Sequence, residues 1–189
     1  MNETFGFDLP DESKKLTDKE YVNLVNRIRG NFLSYVSDLD LTLSEIISSF
    51  FLRDPNDYPL WRTTVFDEDR TASFGAKIVW LSKIMKHHID FKNEVDESTR
   101  VKIQQKLNEI REIRNDFAHN SAYNKDVKPE YIEKRLIVLY EYDENGCDFP
   151  KEFAMKDIMD LINDPWILEQ LEKLEKLTMK IAEKFYNRN

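Results

Sequence analysis

Glycine and proline are scarce in this chain, 4 and 6 among 189 residues. So few turn-formers exclude a loop-rich or many-turned β protein and leave room for long helices. Cysteine occurs once, at Cys147, so no intramolecular disulfide can staple the fold. That thiol reads as an inert group near a turn. An excess of positive charge is also missing: the formal net charge is -8. This argues against broad, sequence-independent DNA binding and leaves room only for a small local RNA site. No apolar run reaches the length of a membrane-spanning helix. The first residues carry acids and Pro10 where a signal peptide has an apolar core, so a cytoplasmic chain without a membrane partner is the expectation. P-loop, GxGxxG, GxSxG and HExxH patterns and paired cysteines are all absent, so no cofactor and no metal are expected.

What is present is helical periodicity. Hydrophobic residues make up 41% of the chain and charged residues 34%, which suits a globular protein with a well-charged surface. Residues 1–16 read as a flexible N-terminal arm, and residues 17–189 as a single helical domain. Thr17 and Glu20 have the capping-box spacing. From there Val25, Ile28, Phe32, Val36, Leu39, Leu43, Ile46, Ile47 and Phe50 recur at helical intervals, which predicts a long helix to about Leu52. Gly30 either bends it or lets a neighbour come close. Asp54-Pro55 ends it, and Tyr58 to Asp69 is a connector. A second helix is expected from about Thr71 to Ile89, then a charged connection from Asp90 to Arg100, then a third helix from about Ser98 to His119.

The pattern changes at Arg135 to Tyr142, which is rich in β-formers and is followed by the turn signal Asp143 to Gly146. A short hairpin returning to Phe153 is expected, with Pro150 on an edge. The alternative is helix over Glu130 to Tyr140. Helix resumes from about Lys156 to Ile162, breaks at Asp164-Pro165, and continues through Leu168, Leu171, Leu174, Ile181 and Phe185. The expected fold class is therefore mainly α: an up-down bundle of about four to five helices with a small β-hairpin insertion before the C-terminal helices.

The residues that invite chemistry lie on the third helix. At about 100° per residue, with Ile110 as zero, its apolar stripe of Ile103, Leu107, Ile113 and Phe117 spans about -60° to +60°. Arg114 falls near +40°, inside that stripe, whereas Asn115 near +140° and His119 near 180° point away. Arg111, Asn115 and His119 follow one another at i, i+4 and i+8. A guanidinium in an apolar stripe needs a partner. Asp40, at the edge of the first helix's stripe, is the expected one, with Asp38 on the other side. An Arg114–Asp40 pair would then be structural. His119 would either cap the last carbonyls of its helix or act as an acid/base near neutral pH. Lys83, Lys86, His87, His88 and Lys92 give local positive charge on what reads as a solvated helix face.

Arg114-Asn115 followed by His119 resembles the R-x4-6-H motif of HEPN domains, helical proteins often found as ribonucleases in toxin–antitoxin and antiviral defence systems. The run Arg114-Asn115-Asp116-Phe117-Ala118-His119 also resembles the R-N-x-F-A-H signature of the mannitol operon repressor-like (MltR-like) family. Ser73 to Ile78 is similar to the segment preceding that signature, and Ser37-Asp38-Leu39-Asp40 to its acidic element. The likeness covers about Val25 to Asn120. The HEPN resemblance implies metal-independent RNA cleavage at the face of a homodimer, with Arg114, Asn115 and His119 as catalytic residues and Asp40, Asp38 and Arg111 in support. His119 would be the acid/base for attack by a 2′-hydroxyl, Arg114 would hold the phosphate, and Asn115 would orient one of them. The MltR-like resemblance implies a non-catalytic regulator that binds a protein partner; an antitoxin is the corresponding partner on the HEPN side. The helical wheel adds one more expectation. Because Arg114 points away from Asn115 and His119, either the helix end unwinds, or a second chain completes the site, or only the Asn–His face works.

Overall fold

The computed structural model describes residues 9–10, 15–51, 73–120, 127–142 and 148–186. Most of the expected N-terminal arm, the break at Asp54-Pro55, the connector after it, the turn at Asp143 to Gly146 and Cys147 lie outside the described residues. The first helix starts at the capping box. The Thr17 amide donates to Glu20 Oε2 (2.9 Å) and the Glu20 amide donates to Thr17 Oγ1 (3.3 Å), so two otherwise orphaned donors are satisfied reciprocally. This helix, α1, runs Asp18–Phe51, 34 residues and on the order of 50 Å long. Ile28, Phe32, Leu39, Leu43, Ile46 and Ile47 along its stripe are fully buried. A Cβ built on Gly30 meets nothing within 4 Å among the described residues, so none of them comes close at that glycine.

Helix α2 spans Phe74–His87, with Ser73 Oγ accepting from the Ala76 amide as its N-cap (3.3 Å). The expected continuation to Ile89 is corrected, because His88 is extended (φ -80, ψ 132). A short helix α3, Ile89–Glu94, follows where a charged connection was expected. Its cause is one residue: Phe91 is fully buried and meets the rings of Phe50 (6.1 Å) and His88 (5.9 Å) edge-on. Helix α4 spans Glu97–His119. Asp96 caps it by accepting from Ser98 Oγ (2.6 Å), Thr99 Oγ1 (2.7 Å) and the Thr99 amide (2.9 Å). Those bonds, the Ser98 hydroxyl's first, hold its carboxyl well below the usual carboxylate range.

A single-turn helix α5, Pro129–Glu133, precedes the hairpin, so the helical alternative for that stretch holds for one turn only. Arg135 then takes a left-handed conformation (φ 51), and its carbonyl accepts from the Met155 amide (2.9 Å). Strands β1 (Leu136–Tyr142) and β2 (Asp148–Ala154) pair antiparallel from Leu136↔Ala154 to Tyr142↔Asp148. Pro150 lies opposite Tyr140, tolerated because each strand of a two-stranded sheet is an edge. Helices α6 (Met155–Asn163) and α7 (Trp166–Tyr186) follow, separated at Asp164-Pro165 as expected. The protein is thus mainly helical, with a small antiparallel hairpin before its C-terminal helices. Among the described residues no helix is long and apolar enough to cross a membrane.

The chain forms two compact units. The first comprises Met1–Val36 and Glu112–Asp164: the start of α1, the end of α4, α5, the hairpin and α6. Phe32, Tyr35, Phe117, Ile137, Leu139 and Met155 belong to its buried set. The second comprises Ser37–Arg111 and Pro165–Asn189: the rest of α1 and α4 with α2, α3 and α7. Leu43, Ile47, Leu81, Phe91, Ile110 and Leu171 belong to its buried set.

Candidate functional site at the end of helix α4

In the first unit, the last turns of α4 are anchored through Phe117, whose side chain is fully buried. Its ring lies edge-on to Phe32 of α1 (5.1 Å) and to Phe153 of β2 (5.5 Å). Each neighbour belongs to an element that also supplies a cation. Arg29 is one turn before Phe32 on α1, and its Nη2 donates to the Asn120 carbonyl at 3.1 Å. Lys151 is two residues before Phe153, hence on the same face of β2, and its Nζ pairs with Asp116 Oδ1 at 2.5 Å. Asn120 closes the arrangement: its Nδ2 donates to Asp116 Oδ1 (3.4 Å) and its amide to the Asp116 carbonyl (3.0 Å). Arg29 thereby satisfies a carbonyl at the negative end of the helix dipole.

With Phe117 turned inward and Asp116 taken by Lys151, the rest of the Arg114–His119 run faces outward. Arg114 is half-buried, and Asn115 and His119 are exposed. Arg114 Nη1 donates to Asn115 Oδ1 (3.3 Å). This corrects the wheel expectation that Arg114 turns away from Asn115. The long side chain leaves the apolar stripe and brings its guanidinium round to the polar face, as arginine stems allow. The helix also stays wound through His119, so the expected unwinding of its end does not occur. His119 lies one turn beyond Asn115 on the same face. Among the described residues no hydrogen bond or ion pair engages its ring.

The residues expected in support of the site belong to the second unit and have other contacts there. Asp40 Oδ2 pairs with Lys77 Nζ at 2.7 Å, with the Lys77 side chain only 4% exposed. Within its own unit Asp40 thus pairs with Lys77, and within its own Arg114 bonds Asn115. Lys77 was the missed partner. It falls on the α2 stripe one residue before Ile78, where a buried lysine requires an acid nearby. Asp38 is exposed, and its carbonyl accepts from Thr42 Oγ1 (2.9 Å). Arg111 packs over Gly75 of α2: a Cβ there would lie 3.2 Å from Arg111 Nη1. That glycine is the small residue which lets the guanidinium lie close.

Arg29 and Lys151 had no signal in the linear pattern, because a lone cation on a helix or strand face looks like any solvated charge. Their role depends on which side chains the aromatic contacts of Phe117 bring alongside. Among the described residues no group of three or more His, Cys, Asp or Glu is arranged to hold a metal ion. The open face offers a hydrogen-bonded guanidinium–amide pair and an imidazole on one exposed helix surface. Such a set can bind an anion and exchange a proton beside it. Comparison of the chain with protein-family models, with curated proteins and with solved structures finds no match.

Proposed function

We propose that this protein is a metal-independent endoribonuclease of the HEPN type, working as a homodimer in a toxin–antitoxin or antiviral defence role. The observation that carries the reading is the exposed face on which Arg114 bonds Asn115 with His119 on the next turn, none of the three side chains held in an ion pair among the described residues. In the reaction, a ribose 2′-hydroxyl gives its proton to the His119 imidazole as its oxygen bonds to the adjacent phosphorus. The bond from phosphorus to the 5′-oxygen breaks, and that oxygen takes the proton back from the imidazolium. A 2′,3′-cyclic phosphate and a 5′-hydroxyl result, with no water or metal consumed. Arg114 holds the phosphate and neutralises the charge that builds on its oxygens. Asn115, accepting from that guanidinium, fixes its direction.

The test is incubation of purified protein with mixed RNAs in EDTA, beside folded His119→Ala and Arg114→Ala variants. Native protein should cleave; His119→Ala should lose on the order of 100-fold or more and Arg114→Ala a similar factor. Cleavage that survives both substitutions would show the site to be elsewhere. No cleavage by native protein, and no growth toxicity on expression, would favour a second reading, a non-catalytic MltR-like module that binds a protein partner. The net charge of -8 supports that second reading, since an acidic surface suits a basic protein partner better than a polyanion.

A further inference from the structure

The last turns of α4 are held from two sides by the same device. From α1 come Phe32, on the Phe117 ring, and Arg29, on the Asn120 carbonyl. From β2 come Phe153, on the other side of that ring, and Lys151, on the Asp116 carboxylate. Asp116 and Asn120 are joined to each other through the Asn120 side chain. His119 sits between these two clasped positions, three residues after Asp116 and one before Asn120. The aromatic contacts alone would fix the depth of the helix end. A ring stack tolerates rotation and fraying of the final turn, whereas directional bonds to Asp116 and Asn120 do not.

We infer that Arg29 and Lys151 are positioning residues for His119: they lock the last turn of α4 so that the imidazole is presented beside Asn115 and Arg114. The inference rests on the endoribonuclease reading for its consequence in catalysis, but its structural half can be measured without any substrate.

The experiment compares native full-length chain with Arg29→Met, Lys151→Met, Arg29→Lys and Lys151→Arg. Lys151 is 44% exposed, so its methionine variant keeps the test alive should Arg29→Met fold poorly. One measurement needs no RNA: amide hydrogen exchange at Phe117 to Asn120. In the methionine variants exchange should quicken, and the conservative variants should restore it. With RNA, kcat should fall by on the order of 100-fold at nearly unchanged KM, as expected when a catalytic group is displaced by about an ångström. Unchanged exchange in both methionine variants would overturn the clasp whatever happens to cleavage. A rise in KM at native kcat would overturn it too, because it would make the cations substrate contacts. If native protein cuts no RNA while exchange responds as expected, the endoribonuclease reading fails and the clasp stands.

Discussion

In the second unit a charge lies inside. Lys77 is 3% exposed and is neutralised by Asp40 at 2.7 Å. Among the described residues Asp40 Oδ1 is itself buried without a hydrogen-bond partner. In the first unit the buried side chains include phenols. Tyr21, 6% exposed, donates its hydroxyl to the Leu136 carbonyl at 2.8 Å, and Tyr35 is 1% exposed. Arg114, Asp116 and Lys151 of that unit stand nearer the surface. The difference separates two uses of charge. An ion pair with a buried ammonium is tied into the packing and is not available to a ligand. A half-buried guanidinium whose bond among the described residues is to a neutral amide keeps its charge available. The residue types Arg, Lys and Asp are alike in the sequence; burial and partnership decide which are structural.

The largest expected effect tests the buried side of this contrast. Asp40→Ala removes the carboxylate that neutralises the buried Lys77 ammonium. Breaking a buried pair costs about 3–5 kcal/mol, and the 37% exposure of Asp40 puts this case at the low end, about 3 kcal/mol. Denaturant unfolding measures it. The double variant Asp40→Leu with Lys77→Met, which removes both charges, should recover most of the loss. If the double variant is as unstable as the single one, the pair is not what the alanine removed.

The next effect belongs to the phenols. Burial, reinforced by Tyr131, pushes the Tyr21 hydroxyl up to about 12. Its ordinary value is about 10, so the folded state keeps this proton longer than the unfolded state does. Below pH 10 the contribution to stability is complete. Between pH 10 and 12 the unfolded chain releases the proton while the folded one holds it, so stability falls as pH rises and is lost through about pH 12. Two pH units amount to about 2–3 kcal/mol. Burial, then Asp164, raises Tyr35 further still, so its share of the alkaline loss comes at higher pH. Tyr21→Phe should cost about 1 kcal/mol at pH 8, from the unpaired Leu136 carbonyl, and should flatten the decline between pH 10 and 12. An unaltered alkaline decline in that variant would assign it to other groups.

The two units also differed in how far the sequence could be read. Periodicity carried α1 to within about a residue at each end, because the Thr17–Glu20 box and a continuous stripe agree there. The hairpin was legible from its β-branched run and turn signal. What periodicity missed was decided by single contacts. Helix α3 exists because Phe91 is buried against Phe50 and His88, and one phenylalanine in a charged stretch has no period. The candidate site was legible as a run of residues on α4 and misread as a geometry. A helical wheel places Cβ atoms, but the Arg114 guanidinium lies several bonds further out and is free to turn to Asn115. The Asp40–Lys77 pair was missed for a related reason: a wheel places Asp40 at the edge of its stripe but does not say which cation reaches it.

The smallest expected effect is the one that makes the contrast sharp. Arg114 is half-buried, and among the described residues its side chain bonds a neutral, exposed amide and no acid. Arg114→Ala therefore removes no ion pair among them and leaves Asn115 free to bond water. Its cost to stability should stay within about 0.5 kcal/mol, the usual range for substitutions away from caps and cores. Measured beside Asp40→Ala in the same denaturant series, it should differ from native several-fold less, even though both substitutions delete one charge from a helix of the same protein. An Arg114→Ala loss as large as that of Asp40→Ala would mean the guanidinium is a packing element. Arg114 would then be structural like Lys77, and only Asn115 and His119 would remain as the chemically available part of the run.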